Sequence, residues 1–167
     1  FENPELPRAF YDDWVGVAHD EAEHFALLSR HLLDMGITYG DLPAHNGLWE
    51  AASSTHHDVL ARLALVPMVL EARGLDTTPT AVARLEANGD AVTAAILEKI
   101  GREEMPHVAA GVRWFEYVAT NRGLDPVATF HDLVAKLFTG SIKPPFNAQA
   151  RIAAGMSEAY FRPYESN

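Results

Sequence analysis

No cysteine occurs among the 167 residues. Disulfides, thiolate zinc sites and cysteine-ligated iron–sulfur clusters are thereby excluded within this chain, so any metal must be held by oxygen and imidazole nitrogen. That donor chemistry suits iron or manganese. Basic residues are also scarce: 13 Lys plus Arg stand against 23 Asp plus Glu, and eight histidines offset the net charge of −10 only in part at mildly acid pH. Such a balance argues against a nucleic-acid partner, because phosphate binding needs a basic surface to displace counterions. Long apolar runs are missing as well. Nothing reaches the roughly 18 residues of a membrane span, and no signal-peptide pattern is present. Strand-like alternation is nowhere sustained, and there is no fixed-period repeat or low-complexity tract. A single cytoplasmic domain over residues 1–167 is the expectation, with 48% hydrophobic and 22% charged residues supplying an ordinary core. The chain opens on Phe1 rather than Met, from which we expect its native N-terminus to be missing.

What is present is helical periodicity. After an extended lead-in, Asn3-Pro4-Glu5-Leu6-Pro7, a helix is predicted over 8–35, closed by Gly36, with Phe10, Trp14, Val17, Ala18, Phe25, Leu28 and Leu32 inward. Residues 38–47 have loop chemistry, and His45 in that loop is read as a surface residue. A second long helix is predicted over 48–73, stopped by Gly74, with Leu60, Leu63, Val66 and Leu70 inward and a kink at Pro67. A turn at residues 76–79 leads into a short helix. The next long helix is predicted over 91–121, stopped by Gly123, with Ile96, Ile100, Gly111, Trp114, Phe115 and Val118 inward. Two further helices within 125–161 would cover the bundle.

Charged residues intrude on these apolar rows in a pattern. Glu21 and His24 lie three residues apart on the first helix, and Glu104 and His107 repeat that spacing on the third, so each pair shares a helix face. A lone buried polar residue is ordinarily a hydrogen-bonded core group. Two Glu-x-x-His pairs with a glutamate, Glu71, between them are instead the signature of a carboxylate-bridged dinuclear metal site in a helix bundle. Pro106 falls inside the second pair and is expected to distort the helix there. Glu103 competes with Glu104, being four residues from His107. His57 lies about 21 Å from Glu71 along a helix axis, too far to share its metal.

Taken together, the ligand order and the segments Phe10-Tyr11-Asp12-Asp13-Trp14, 39–49, 65–76 (with Leu-Glu-Ala-Arg-Gly-Leu-Asp) and 103–114 resemble the ferritin-like di-iron carboxylate superfamily. More narrowly they resemble an uncharacterised bacterial ferritin-like family. The resemblance implies an all-α ferritin-like bundle whose first helix is absent from this sequence. It implies metal ligands Glu21, His24, Glu71, Glu104 and His107, with Glu103, His57 and Glu158 as supporting or alternative groups. Two iron ions are the implied cofactor, manganese or a mixed pair being the variant. The implied function is an oxygen- or peroxide-dependent oxidase or hydroxylase of a small organic substrate. A homodimer, a partner chain or a further segment would supply the first helix and the sixth ligand. Ferroxidase or iron-handling chemistry, and a metal-free helical interaction module, are the competing readings.

Overall fold

The computed structural model describes residues 6–165; the lead-in at residues 3–5 lies outside them. Every described element is helical: α1 (Arg8–Asp34), α2 (Gly47–Ser54), α3 (Val59–Leu65), a π-helical segment (Val66–Glu71), α4 (Ala72–Ala87), α5 (Ala91–Asn121), α6 (Pro126–Leu137) and α7 (Ala148–Ala153), then two 3-10 turns. The all-α expectation holds. No described helix is long and apolar enough to cross a membrane. The chain divides into two compact units, one built from Gly47–Thr77 with Glu104 onward, the other from the stretch up to Asn46 with Thr78–Glu103.

In the unit that carries α1, the helix stops where its glycine permits. Gly36 takes φ 78°, and the Ile37 and Gly36 amides bond back to the Leu32 and Leu33 carbonyls, each at 2.9 Å. The predicted inward row is only partly inward. Phe10 and His24 are buried and Trp14, Val17 and Leu32 half-buried, but Ala18, Glu21, Phe25 and Leu28 are exposed. On the other helices of this unit, Asp90 accepts from the Thr93 amide at 3.1 Å, starting α5, and His31 Nε2 lies 2.7 Å from Thr93 Oγ1. Gly101 lets Thr78 approach, since a Cβ there would lie 2.7 Å from Thr78 Cγ2.

The other unit departs from the predicted helix over 48–73 in two places. The first is a break at residues 55–58. Thr55 Oγ1 donates to the Ala51 carbonyl (2.6 Å) and accepts from Arg62 Nε (2.9 Å), while Asp58 accepts from the Leu60 amide (3.2 Å) and starts α3. The second is the predicted kink at Pro67, which takes the form of a π-helical turn. Proline has no N–H to give the Leu63 carbonyl, and the Ala72 amide instead reaches five residues back to the Pro67 carbonyl. The widened turn shifts the helix phase, so Pro67, Met68 and Val69 are buried, whereas the predicted Val66 and Leu70 are half-buried. Room for the proline ring comes from Gly111 on α5, where a Cβ would lie 2.6 Å from Pro67 Cγ.

The predicted stop at Gly74 does not occur. Helix α4 runs through Gly74 and Pro79 to Ala87 because tertiary bonds hold it. Pro79 cannot donate to the Leu75 carbonyl, and Asn147 Nδ2 donates there instead, at 3.2 Å. Buried Asp76 receives two bonds from the buried Arg151 guanidinium, 2.9 Å from Nε and 2.7 Å from Nη2, and one from the Asn147 amide at 2.9 Å. Helix α5 has the predicted bounds and remains α-helical through Pro106, so the distortion expected there is found only at Pro67. Asp125 caps α6, accepting from the Ala128 amide at 2.8 Å. The predicted last helix is shorter than expected. It ends at Ala153, where Gly155 (φ 79°) turns the chain and the Met156 amide returns to the Arg151 carbonyl at 2.9 Å. Phe115, Phe130 and Tyr160 then stack edge-to-face in the core, with centroids 6.1 and 5.2 Å apart.

Two stability tests follow from these contacts. Asp76→Ala leaves the Arg151 guanidinium buried without its carboxylate, and urea unfolding should show a loss of about 3–5 kcal/mol. Gly111→Ala sets a methyl against the Pro67 ring, and the same measurement should show a loss of about 1–3 kcal/mol.

Candidate functional site

Two buried histidines carry the sequence-predicted ligand pairs. His24 on α1 is 3% exposed and His107 on α5 is 1% exposed. Each has a carboxylate from the previous turn of its own helix beside Nδ1: Glu21 Oε1 at 3.8 Å from His24, and Glu104 Oε2 at 3.4 Å from His107. The first separation is longer than a direct hydrogen bond and the second is at its upper limit. Two donors bound to one first-row cation at about 2.1 Å each lie about 3–4 Å apart, so both pairs have the spacing of a shared cation. The donors are oxygen and imidazole nitrogen, with no sulfur available. Geometry and donor chemistry therefore fit a divalent iron or manganese ion at each pair.

The surroundings of the two pairs differ. Glu21 is about half exposed, whereas the Glu104 side chain is largely covered. His24 is bracketed by a second carboxylate, its Nε2–H donating to Glu103 Oε2 at 3.1 Å. Glu103 is itself held by the Lys99 ammonium, 2.6 and 2.8 Å from its two oxygens. That ammonium, and secondarily the His24 bond, keeps the Glu103 carboxyl below the usual carboxylate range. A cation placed on Glu103 would meet the lysine charge. Lys99 was not among the residues read from sequence, although its i,i+4 spacing to Glu103 is a legible pair.

Glu71 closes the π-helical segment, with Oε2 shielded from solvent. In the same unit, Pro67 touches Gly111, and Glu71 and His107 each sit one turn from that contact. Two supporting candidates fall elsewhere. His57 is exposed, its ring centroid 5.9 Å from that of His56 in the break before α3. Glu158 begins a 3-10 turn beyond the shortened last helix and pairs with Arg162 at 3.0 Å. His45 is exposed in its loop, as expected.

A family described as "Protein of unknown function (DUF455)" matches residues 1–162. The chain belongs to this family. This DUF455 member is 43% identical over 150 residues to an uncharacterized protein of Haemophilus influenzae, an alignment that covers 90% of the chain and 52% of the relative. The chain thus spans about half the length of the curated relative it matches. No solved structure matches it.

The Lys99–Glu103–His24 chain has a pH signature. A carboxyl held below its unfolded-state pKa adds stability above that unfolded value, and the addition is lost as pH falls through the folded value. Lys99→Met should raise the Glu103 pKa toward the ordinary value of about 4.3, read by carboxyl NMR titration. It should also flatten the acid limb of the stability profile.

Proposed function

We propose that this DUF455 chain is a ferritin-like, dinuclear metal protein in which Glu21, His24, Glu71, Glu104 and His107 hold two iron or manganese ions. The observation that carries the reading is the pair of buried histidines, each with a carboxylate one turn back at 3.4 or 3.8 Å from Nδ1. Burying two imidazoles beside acids is costly for a purely structural purpose, and the spacing suits cation ligation. Pro67 seated on Gly111, with Glu71 one turn after the proline and His107 one turn before the glycine, supports neighbouring positions for Glu71 and His107 within one unit.

Bound metal ions would supply redox steps toward dioxygen or peroxide, and an oxidase or hydroxylase of a small organic molecule is the reaction class this supports. The chain's own residues have definite tasks. His24 and His107 present imidazole nitrogen donors. Glu71, Glu104 and Glu21 neutralise the cations. Glu103, fixed by Lys99, aims the His24 ring. Val108, next to His107 on α5, is buried, which would help keep water from that side. A cytoplasmic setting, with a small-molecule substrate and no nucleic-acid partner, belongs to the same proposal.

A competing reading has a specific observation in its favour. Lys99, Glu103 and His24 form a continuous hydrogen-bonded chain, which is also how a metal-free polar network is built. Elemental analysis of protein expressed with iron and manganese separates the two. The metal reading expects two ions per chain, binding weakened by about 10-fold or more in His24→Ala and His107→Ala, and dioxygen consumption after reduction. Folded protein that takes up neither metal sinks it. Metal uptake without oxidation of any organic substrate would move the assignment to iron handling.

A further inference from the structure

The connection from α6 to α7 closes over a cavity of about 80 Å³, walled on its other side by the π-helical segment and the start of α4. All of its lining lies in the unit that carries Glu71. A water takes about 30 Å³ in the liquid, so the space suits a group of a few heavy atoms and not a whole cofactor. Apolar walls come from the π-helical segment and from the Phe138 and Phe146 rings. The connection folds back tightly on the first ring, since a Cβ on Gly140 would lie 2.6 Å from Phe138 Cζ. Three lining residues are cationic, Arg73, Lys143 and Arg151, and none is acidic.

These charges are not balanced from within. Asp76 takes up the Arg151 guanidinium in the paired contact described above, and Arg73 commits only Nη1, to Asp76 Oδ2 at 3.3 Å and to the Lys143 and Pro145 carbonyls at 2.9 and 3.0 Å. Arg73 Nε and Nη2, the Lys143 ammonium and the Ser141 hydroxyl, which also lines the cavity, make no hydrogen bond among the described residues. One carboxylate therefore stands against three cations. The sequence has the same asymmetry: residues 133–157 contain no Asp or Glu, in a chain that has 23 of them. Against apolar walls an excess of positive charge is costly until an anion arrives, and the attraction is then stronger than in water. A phosphate group is the complement. As a dianion it balances two cations, and its oxygens accept from guanidinium, ammonium and hydroxyl at once, whereas a carboxylate brings one charge and two coplanar oxygens. We propose that this cavity binds a phosphate group, as the free ion or as the head of a small phosphate monoester, through Arg73, Lys143 and Ser141.

The test is isothermal titration of the protein with inorganic phosphate at pH 7.5 and low salt, with acetate and glycerol phosphate as parallel ligands. One phosphate site per chain is expected, with acetate weaker by about 10-fold or more. Lys143→Gln leaves the backbone carbonyl that Arg73 holds in place, so circular dichroism and the thermal midpoint should not move, while phosphate binding weakens by about 10-fold or more. Ser141→Ala should weaken it several-fold. Glycerol phosphate binding more tightly than phosphate supports the site as one for a monoester, and the reverse order supports it as one for the free ion. Added EDTA should change neither affinity, which separates this site from phosphate held by a metal ion at the Glu–His pairs. No saturable heat up to about 10 mM phosphate, acetate equal to phosphate, an affinity indifferent to Lys143→Gln, or binding lost in EDTA would each overturn the assignment.

Discussion

A proline ring seated where α5 has no side chain governs the part of the molecule that bears Glu71. Pro67 removes one bond from the helical ladder, and the chain responds by adding a residue to the turn rather than by breaking. The widened turn is tenable because Gly111 leaves space for the ring. One contact thus sets the phase of everything that follows it. Met68 and Val69 enter the core, and Glu71 leaves the π-helical segment at its shielded end.

Beyond Glu71, the helix passes a glycine and a second proline, each a plausible end. It continues because the buried Asp76–Arg151 pair and Asn147 supply the bonds that local sequence withholds. Asn147 supplies two of them, donating its amide to Asp76 and its side-chain Nδ2 to the carbonyl that Pro79 leaves open. Helix propensity is a weak local preference, and tertiary bonds between residues some seventy positions apart override it here.

The two Glu–His pairs differ in their surroundings. Each buried imidazole has a carboxylate from the previous turn of its own helix at 3.4 or 3.8 Å, and His24 also donates to a carboxylate held by lysine. The Glu21–His24 pair is bracketed by a second carboxylate and exposed at Glu21, and the Glu104–His107 pair is largely covered.

Much of this was written into the chain. The bounds of α1 and α5, the caps at Gly36, Gly123 and Asp125, and the two Glu-x-x-His pairs all depend on residues within a few positions of one another, where periodicity and capping chemistry are direct signals. The break at Thr55, the persistence of α4 through Gly74 and Pro79, the early end of α7 and the choice of Glu103 as the second acid on His24 were not legible. Each is decided by a partner that sequence distance does not reveal, or by the phase a π-helical turn imposes on residues after it. The sequence alone determined that the chain is helical and which side chains could ligate a metal. Only tertiary structure decided which of them are buried and which face of α1 remains open, because burial is a property of neighbours brought together by folding.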